Sequence, residues 1–256
     1  MTSATDFRWT SAARSDVGCV RLVNEDAVLS SPERGLWAVA DGMGGHAVGD
    51  LASRMVIEGL STVPAIDGLA GVIAEARERL LQVNDALRAE ASKRQVSRIG
   101  STVVLLAARD GACAYLWAGD SRIYLFRSGR LVQLTRDHSH VEELKARGQL
   151  TAEEALHHPA QHLITRAVGA LDTLELDESS VALADGDTFL LCSDGLSNEV
   201  SEAEIASELA PGNCEAAAQR LLEIALERGG RDNISLVVAH AEDVLASDRT
   251  QVNPTI

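Results

Sequence analysis

The chain has 256 residues, 46% of them hydrophobic and 24% charged, ordinary values for a globular protein with room for one enzyme-sized core; disorder, collagen-like repeats and low-complexity sequence are excluded along most of its length. Twenty-three Lys and Arg against 38 Asp and Glu leave a net charge of −15, so the molecule repels polyanions, and nucleic acid and anionic membranes are poor partners. No run approaches the roughly 18–20 apolar residues that span a bilayer, and the N-terminus MTSATDFRWTSAARSD has no signal-type hydrophobic region, so a cytoplasmic address without membrane insertion is expected.

In chain order, apolar runs bounded by Gly, Asp and Ser predict strands at Leu36–Ala40, Thr102–Ala107, Ala114–Ala118, Arg122–Phe126, Leu131–Leu134, Thr188–Cys192 and Ile234–Ala239. Ser128-Gly129 reads as a hairpin turn between two of them. Helical periodicity covers Gly49–Leu60, Ala70–Arg94 and Cys214–Arg228. Capping boxes at Thr151-x-x-Glu154 and Ser201-x-x-Glu204 start two more helices. Short strands follow one another between Ala114 and Leu134 while helices come in separate blocks, which favours antiparallel α+β layers over a parallel sheet. Residues 137–168 look like an excursion from the core, and 243–256 like a polar tail after a single domain at 1–242. Cys19, Cys113, Cys192 and Cys214 are widely spaced with no C-x-x-C pair, and are read as buried thiols.

The chemistry lies where carboxylates fall relative to strands. LWAVA runs into Asp41-Gly42, AYLWA into Gly119-Asp120, and TFLLC into Ser193-Asp194-Gly195; Asp232-Asn233 leads into ISLVVA, and Glu25-Asp26 closes VGCVRLVNED. Each alone is an ordinary turn dipeptide. In an antiparallel sheet, however, strand ends of both polarities share an edge, so these turns can converge. Carboxylates gathered there repel by about 4 kcal/mol per close pair at an effective dielectric near 20, and need protons or cations. An oxygen-only donor set favours hard ions such as Mg²⁺ or Mn²⁺, and a pair of such ions serves phosphoester hydrolysis.

Taken in order, Arg21-x-x-Asn24-Glu25-Asp26, Asp41-Gly42-Met43-Gly44-Gly45, Gly100-Ser101-Thr102, Gly119-Asp120-Ser121-Arg122, Ser193-Asp194-Gly195-Leu196 and Asp232-Asn233 resemble the motifs of the PPM-type (PP2C-like) metal-dependent serine/threonine protein phosphatases in their compact bacterial form. The resemblance spans about Ser15 to Ala241. It implies a central β-sandwich flanked by helices on both sides, with a metal site at one end. It further implies that 137–168 is a mobile flap beside the substrate groove. By position, Asp41 would bridge two metals and Gly42 would offer its carbonyl. Asp194 and Asp232 would hold the first ion, Glu25 the second largely through water, and Asp120 a third, weaker one. Asp26 matches the family's supporting acid, and Arg21 the guanidinium that grips the substrate phosphate, for which its planar fork is suited. The implied cofactors are two core Mn²⁺ or Mg²⁺ ions and a weaker third. The implied reaction is attack of a metal-bridging hydroxide on phosphoserine or phosphothreonine, by a monomer that opposes a serine/threonine kinase and takes phosphoproteins, a kinase or its targets, as substrates. Met43 stands where many eukaryotic relatives carry His, and His46 lies three residues on, so the general acid is unassigned.

Two patterns point elsewhere. Gly42-x-Gly44-x-x-Ala47, after a strand and before a helix, satisfies the dinucleotide-binding fingerprint and makes an oxidoreductase a rival, although Asp41 would face the pyrophosphate. Cys214-x5-Arg220 has the spacing of cysteine-dependent phosphatases, but Glu-Ala-Ala-Ala-Gln between them is a helical run with no Gly. A catalytically silent module on the same fold is the third alternative.

Overall fold

A strand buried on both faces sends alternate side chains into two different cores, and the central strands here do that. The computed structural model describes residues 7–44, 48–156, 158–160 and 163–244. Its strands are β1 (Phe7–Asp16), β2 (Asp26–Ser31), β3 (Leu36–Met43), β4 (Gly100–Ser101), β5 (Val103–Arg109), β6 (Ala112–Ala118), β7 (Arg122–Arg127), β8 (Arg130–Gln133), β9 (Asp177–Ala182), β10 (Thr188–Cys192) and β11 (Ile234–Asp243). Its helices are α1 (Gly49–Ser61), α2 (Leu69–Arg94), α3 (His140–Ala146), α4 (Ala152–Leu156), α5 (Asp194–Ser197), α6 (Glu202–Leu209) and α7 (Cys214–Glu227).

One sheet has the order β1-β11-β10-β7-β8 and the other β2-β3-β5-β6-β9, with β4 extending β3. The pairings within both are antiparallel. Trp37, Val39, Leu106, Phe189, Leu191 and Val237 fill the space between the sheets. The alternate residues Leu36, Ala38 and Leu105 pack on Val56, Leu80 and Leu87 of α1 and α2. On the other side Leu190, Cys192 and Leu236 pack on Ile205, Leu221 and Ala225 of α6 and α7. The result is the expected α-β-β-α sandwich, with three apolar cores between four layers.

The predicted central strands and long helices are all present, β11 running on to Asp243. Both capping boxes form: Thr151 and Glu154 exchange bonds at 2.8 and 3.2 Å, and Ser201 and Glu204 do the same at the start of α6. Ser128 and Gly129 take positive φ in the tight turn between β7 and β8. β1, β2, β4 and β9 lie outside the predicted strands; β4 is two residues long, and β1, β2 and β9 are edge strands with one sheet neighbour whose apolar residues are few or interrupted by polar ones. The reading of all four cysteines as buried fails at one position. Cys113, Cys192 and Cys214 are buried, whereas Cys19 is exposed, because it lies on the loop between β1 and β2 rather than in a layer.

Candidate metal centre

The antiparallel order places the C-terminal ends of β3, β6 and β10 beside the N-terminal ends of β2, β7 and β11. Asp41, Asp120 and Asp194 leave the first set, and Asp26 and Asp232 enter the second. A cleft of about 1330 Å³ opens at this edge, and Arg21, Glu25, Asp41, Gly42, Asp120, Asp194 and Asp232 all line it. Asp26 stands just beneath: it is Asp41's direct cross-strand partner and is 9% exposed. The structure thus brings together every predicted site residue.

Local hydrogen bonds explain why those motifs carry the residues they do. Asp41 N–H donates to Thr102 Oγ1 at 3.0 Å, while Ser101 Oγ and Thr102 N–H donate to Asp41 O at 3.0 and 2.8 Å. Thr102 Oγ1 also meets Ser121 Oγ at 2.7 Å, which ties the Asp41 and Asp120 turns together. Asn233, 5% exposed, accepts from Glu25 N–H at 2.8 Å and donates to Val17 O and Val23 O at 2.9 and 3.0 Å, so one buried amide shapes the loop that carries Arg21 and Glu25. Ser193 Oγ donates to Asp26 Oδ2 at 2.8 Å and accepts from Ser235 N–H at 3.0 Å.

Gly49 is a site residue that sequence reasoning missed. A Cβ there would fall 2.4 Å from Glu25 Oε1 and 2.9 Å from Gly42 O, so the first turn of α1 closes directly on the Glu25 carboxylate, where a helix N-terminus favours negative charge. The signal was present only as a glycine opening a helical pattern. Gly42 is equally constrained, since its Cβ would lie 2.0 Å from Gly49 O.

Eight carboxylates and four cations line the cleft among the described residues. The Arg21 guanidinium donates to Asp232 Oδ2 at 2.7 Å, with Glu25 and Asp41 also attracting it. Desolvation pushes the Asp26 and Asp120 carboxyls up to about 7, and the charge of Asp194 adds to both. Asp41 is held well above the ordinary range by burial first, then by the charges of Asp26, Asp194, Asp120 and Asp232. Asp26 Oδ1 is buried without a hydrogen-bond partner. An all-oxygen donor set, an orphaned buried carboxylate oxygen and acids that resist ionising together fit hard divalent cations.

Met43 lines the cleft and offers no proton; His46 lies outside the described residues, as do Gly45, Ala47, His157 and His162. The dinucleotide reading fails on topology, because β3 and its neighbours pair antiparallel and Asp41 faces the cleft. Cys214 is buried at the start of α7, which pushes its thiol pKa up, and Arg220 pairs with Glu223, so neither builds a phosphate loop. The excursion holds α3 and α4 as expected, and its Ser139, Val141, Glu142, Lys145, Ala155 and Ile164 form one wall of the cleft.

Fold and site define a class: a four-layer antiparallel sandwich with an oxygen-lined acidic cleft at its strand ends and a guanidinium on the rim. The protein phosphatase 2C family model matches residues 20–228, and the chain belongs to that family. It is 38% identical over 249 residues to the serine/threonine protein phosphatase PstP of Mycobacterium tuberculosis, covering 96% of this chain and 47% of PstP, so the chain spans about half the length of that curated relative. The solved structure of PppA, described as a key regulatory component of T6SS in Pseudomonas aeruginosa, superposes with a TM-score of 0.86 at 44% identity, over 92% of this chain and 100% of PppA. A solved catalytic domain of PstP in complex with two manganese ions superposes with a TM-score of 0.82 at 37% identity, over 93% of this chain and 100% of that domain.

Proposed function

We propose that this chain hydrolyses phosphoserine and phosphothreonine in proteins, with Mn²⁺ or Mg²⁺ held by Asp41, Asp194, Asp232, Glu25, the Gly42 carbonyl and, more weakly, Asp120. The observation that carries this reading is the convergence of five carboxylates and Arg21 on one cleft. When bound, the divalent ions supply charge neutralisation and the Lewis acidity that makes water nucleophilic at neutral pH.

The chain's own residues do the rest. Asp41 takes the central place, since the Ser101-Thr102 bonds fix its backbone on both sides. Asp26 lies behind Asp41 and holds it by strand pairing, and one of its oxygens is buried there without a hydrogen-bond partner. Arg21 is half-exposed on the rim, where its fork can leave Asp232 and grip two oxygens of a phosphate monoester. The excursion supplies the facing wall, so the protein around the phosphorylated residue meets Val141, Lys145 and Ile164 as well as the acids. Phosphoproteins, a serine/threonine kinase or its targets among them, are the substrates, and the catalytic unit is a monomeric domain within 1–242. No helix among the described residues is long and apolar enough to cross a membrane, in keeping with a cytoplasmic site of action.

Hydrolysis of an aryl phosphate tests the reading. Turnover should require Mn²⁺, stop with chelator and fall to background in Asp194→Ala; metal-independent turnover, or none in the folded wild type, would sink it.

A further inference from the structure

A buried polar cluster built on His138 takes no part in the chemistry above. His138 is 8% exposed, and its ring lies parallel to Trp117, 6.0 Å away and tilted by 8°. Gly119 N–H donates to His138 Nδ1 at 3.2 Å, and His138 N–H donates to Gly119 O at 2.8 Å. Two hydrogen bonds therefore clamp the residue that immediately precedes Asp120. A backbone N–H can only donate, so Nδ1 carries no proton and the ring proton sits on Nε2. Nε2 faces Asp177 Oδ2 at 3.2 Å, and Asp177 Oδ1 accepts from Arg166 at 2.6 Å. His138 O also accepts from Thr165 N–H at 2.7 Å. One histidine thus joins the Asp120 turn to both roots of the 137–168 segment.

The turn has little freedom to relax without it. Gly119 sits at φ +110°, and a Cβ there would meet Thr102 Cγ2 at 2.6 Å. Asp137, the residue before His138, holds Arg122 in a two-pronged ion pair, with bonds of 3.0 and 2.7 Å. Residues 137 and 138 therefore grip the Gly119–Arg122 turn at both ends, with Asp120 between.

We propose that His138 is a positioning residue that sets the Asp120 carboxylate through Gly119, so that ion binding at Asp120 depends on the acceptor nitrogen of this ring. The inference rests on the reading of Asp120 as a metal-binding acid. A merely structural histidine would only fill space beside Trp117.

The two ring nitrogens can be tested separately, because an Asn side chain places its oxygen where Nδ1 lies and a Gln side chain places its amide nitrogen near Nε2. In metal-free protein, hydrogen exchange at the Gly119 amide should rise at least about tenfold in His138→Gln and His138→Ala, and stay near wild type in His138→Asn, since a buried N–H that loses its acceptor opens more easily. In calorimetry the weakest Mn²⁺-binding step should weaken about fivefold in His138→Gln and His138→Ala, the scale of one hydrogen bond, and stay near wild type in His138→Asn. Equal exchange at Gly119 in the Asn and Gln variants would overturn the proposal, as would an unchanged weakest Mn²⁺ affinity in His138→Ala with native near-ultraviolet circular dichroism. Should the Ala variant not fold, the Asn and Gln pair decides it. None of these readouts needs turnover: a wild type without Mn²⁺-dependent phosphatase activity that still showed the Gly119 pattern would remove the functional reading and leave the clamp standing.

Discussion

The raised Asp26 carboxyl makes the metal-free protein lose stability as pH rises. Its pKa goes from an ordinary 3.8 to about 7 on folding, through desolvation, with the charges of Asp194 and Asp232 adding to it. Between those values the folded chain binds a proton that the unfolded chain has released, so stability falls with increasing pH; the effect is absent below about pH 4 and complete above about pH 7. Each tenfold difference in proton affinity is worth about 1.4 kcal/mol, so Asp26, together with the acids that share its charge, contributes on the order of 4 kcal/mol across that window. At this chain length a kilocalorie moves the midpoint by about 2–4 °C, which puts the expected fall in Tm on the order of 10 °C. Calorimetric scans in chelated buffer from about pH 4 to pH 8, on wild type and Asp26→Asn, isolate the contribution. The variant should match wild type at the acid end and become progressively more stable toward pH 8, as Asn removes the charge and keeps the shape. Saturating Mn²⁺ should shrink the gap by supplying the missing counter-charge. Parallel curves for the two proteins across the window would refute the reasoning, as would a variant whose relative stability falls with pH.

Other outcomes follow from the same cluster. Asp41→Asn should lower Mn²⁺-dependent aryl phosphate turnover at least about 10²-fold, the scale of losing one main electrostatic stabiliser, while raising the Tm of metal-free protein by relieving its repulsion with Asp26; wild-type activity in the folded variant would remove Asp41 from the site. Arg21→Ala should raise KM and weaken inhibition by inorganic phosphate. Because Arg21 pairs with Asp232 and both side chains are more than a third exposed, its loss should leave Mn²⁺ affinity unchanged or up to about fivefold tighter in calorimetry, and a marked loss of affinity would give Arg21 a structural role. Gly49→Ala should displace the Glu25 carboxylate and press on the Gly42 carbonyl, raising the Mn²⁺ concentration needed for half-maximal turnover with little change in circular dichroism; an unaltered metal dependence would show that α1 bears on neither.

The sequence alone determined the layers and the acids. β3, β5, β6, β10 and β11 are buried on both faces, so their apolar runs are continuous and legible; Asp110, Asp120 and Asp194 follow the ends of β5, β6 and β10, Asp232 precedes β11, and Asp41 ends the apolar run inside β3. α1, α2 and α7 were equally legible, because a helix packed on a sheet must repeat its apolar residues every third or fourth position. Tertiary structure decided the rest, through contacts between residues far apart in the chain. The edge strands β1, β2 and β9 exist because a neighbouring strand offers them hydrogen bonds, a fact absent from their own short or interrupted apolar patterns. The pressure of Gly49 on Glu25, the buried amide of Asn233 that shapes the Arg21 loop, and the grip of His138 on Gly119 each join distant segments. Composition and periodicity report how one segment meets an apolar layer; they carry no record of which two polar groups the finished topology will bring within hydrogen-bond distance.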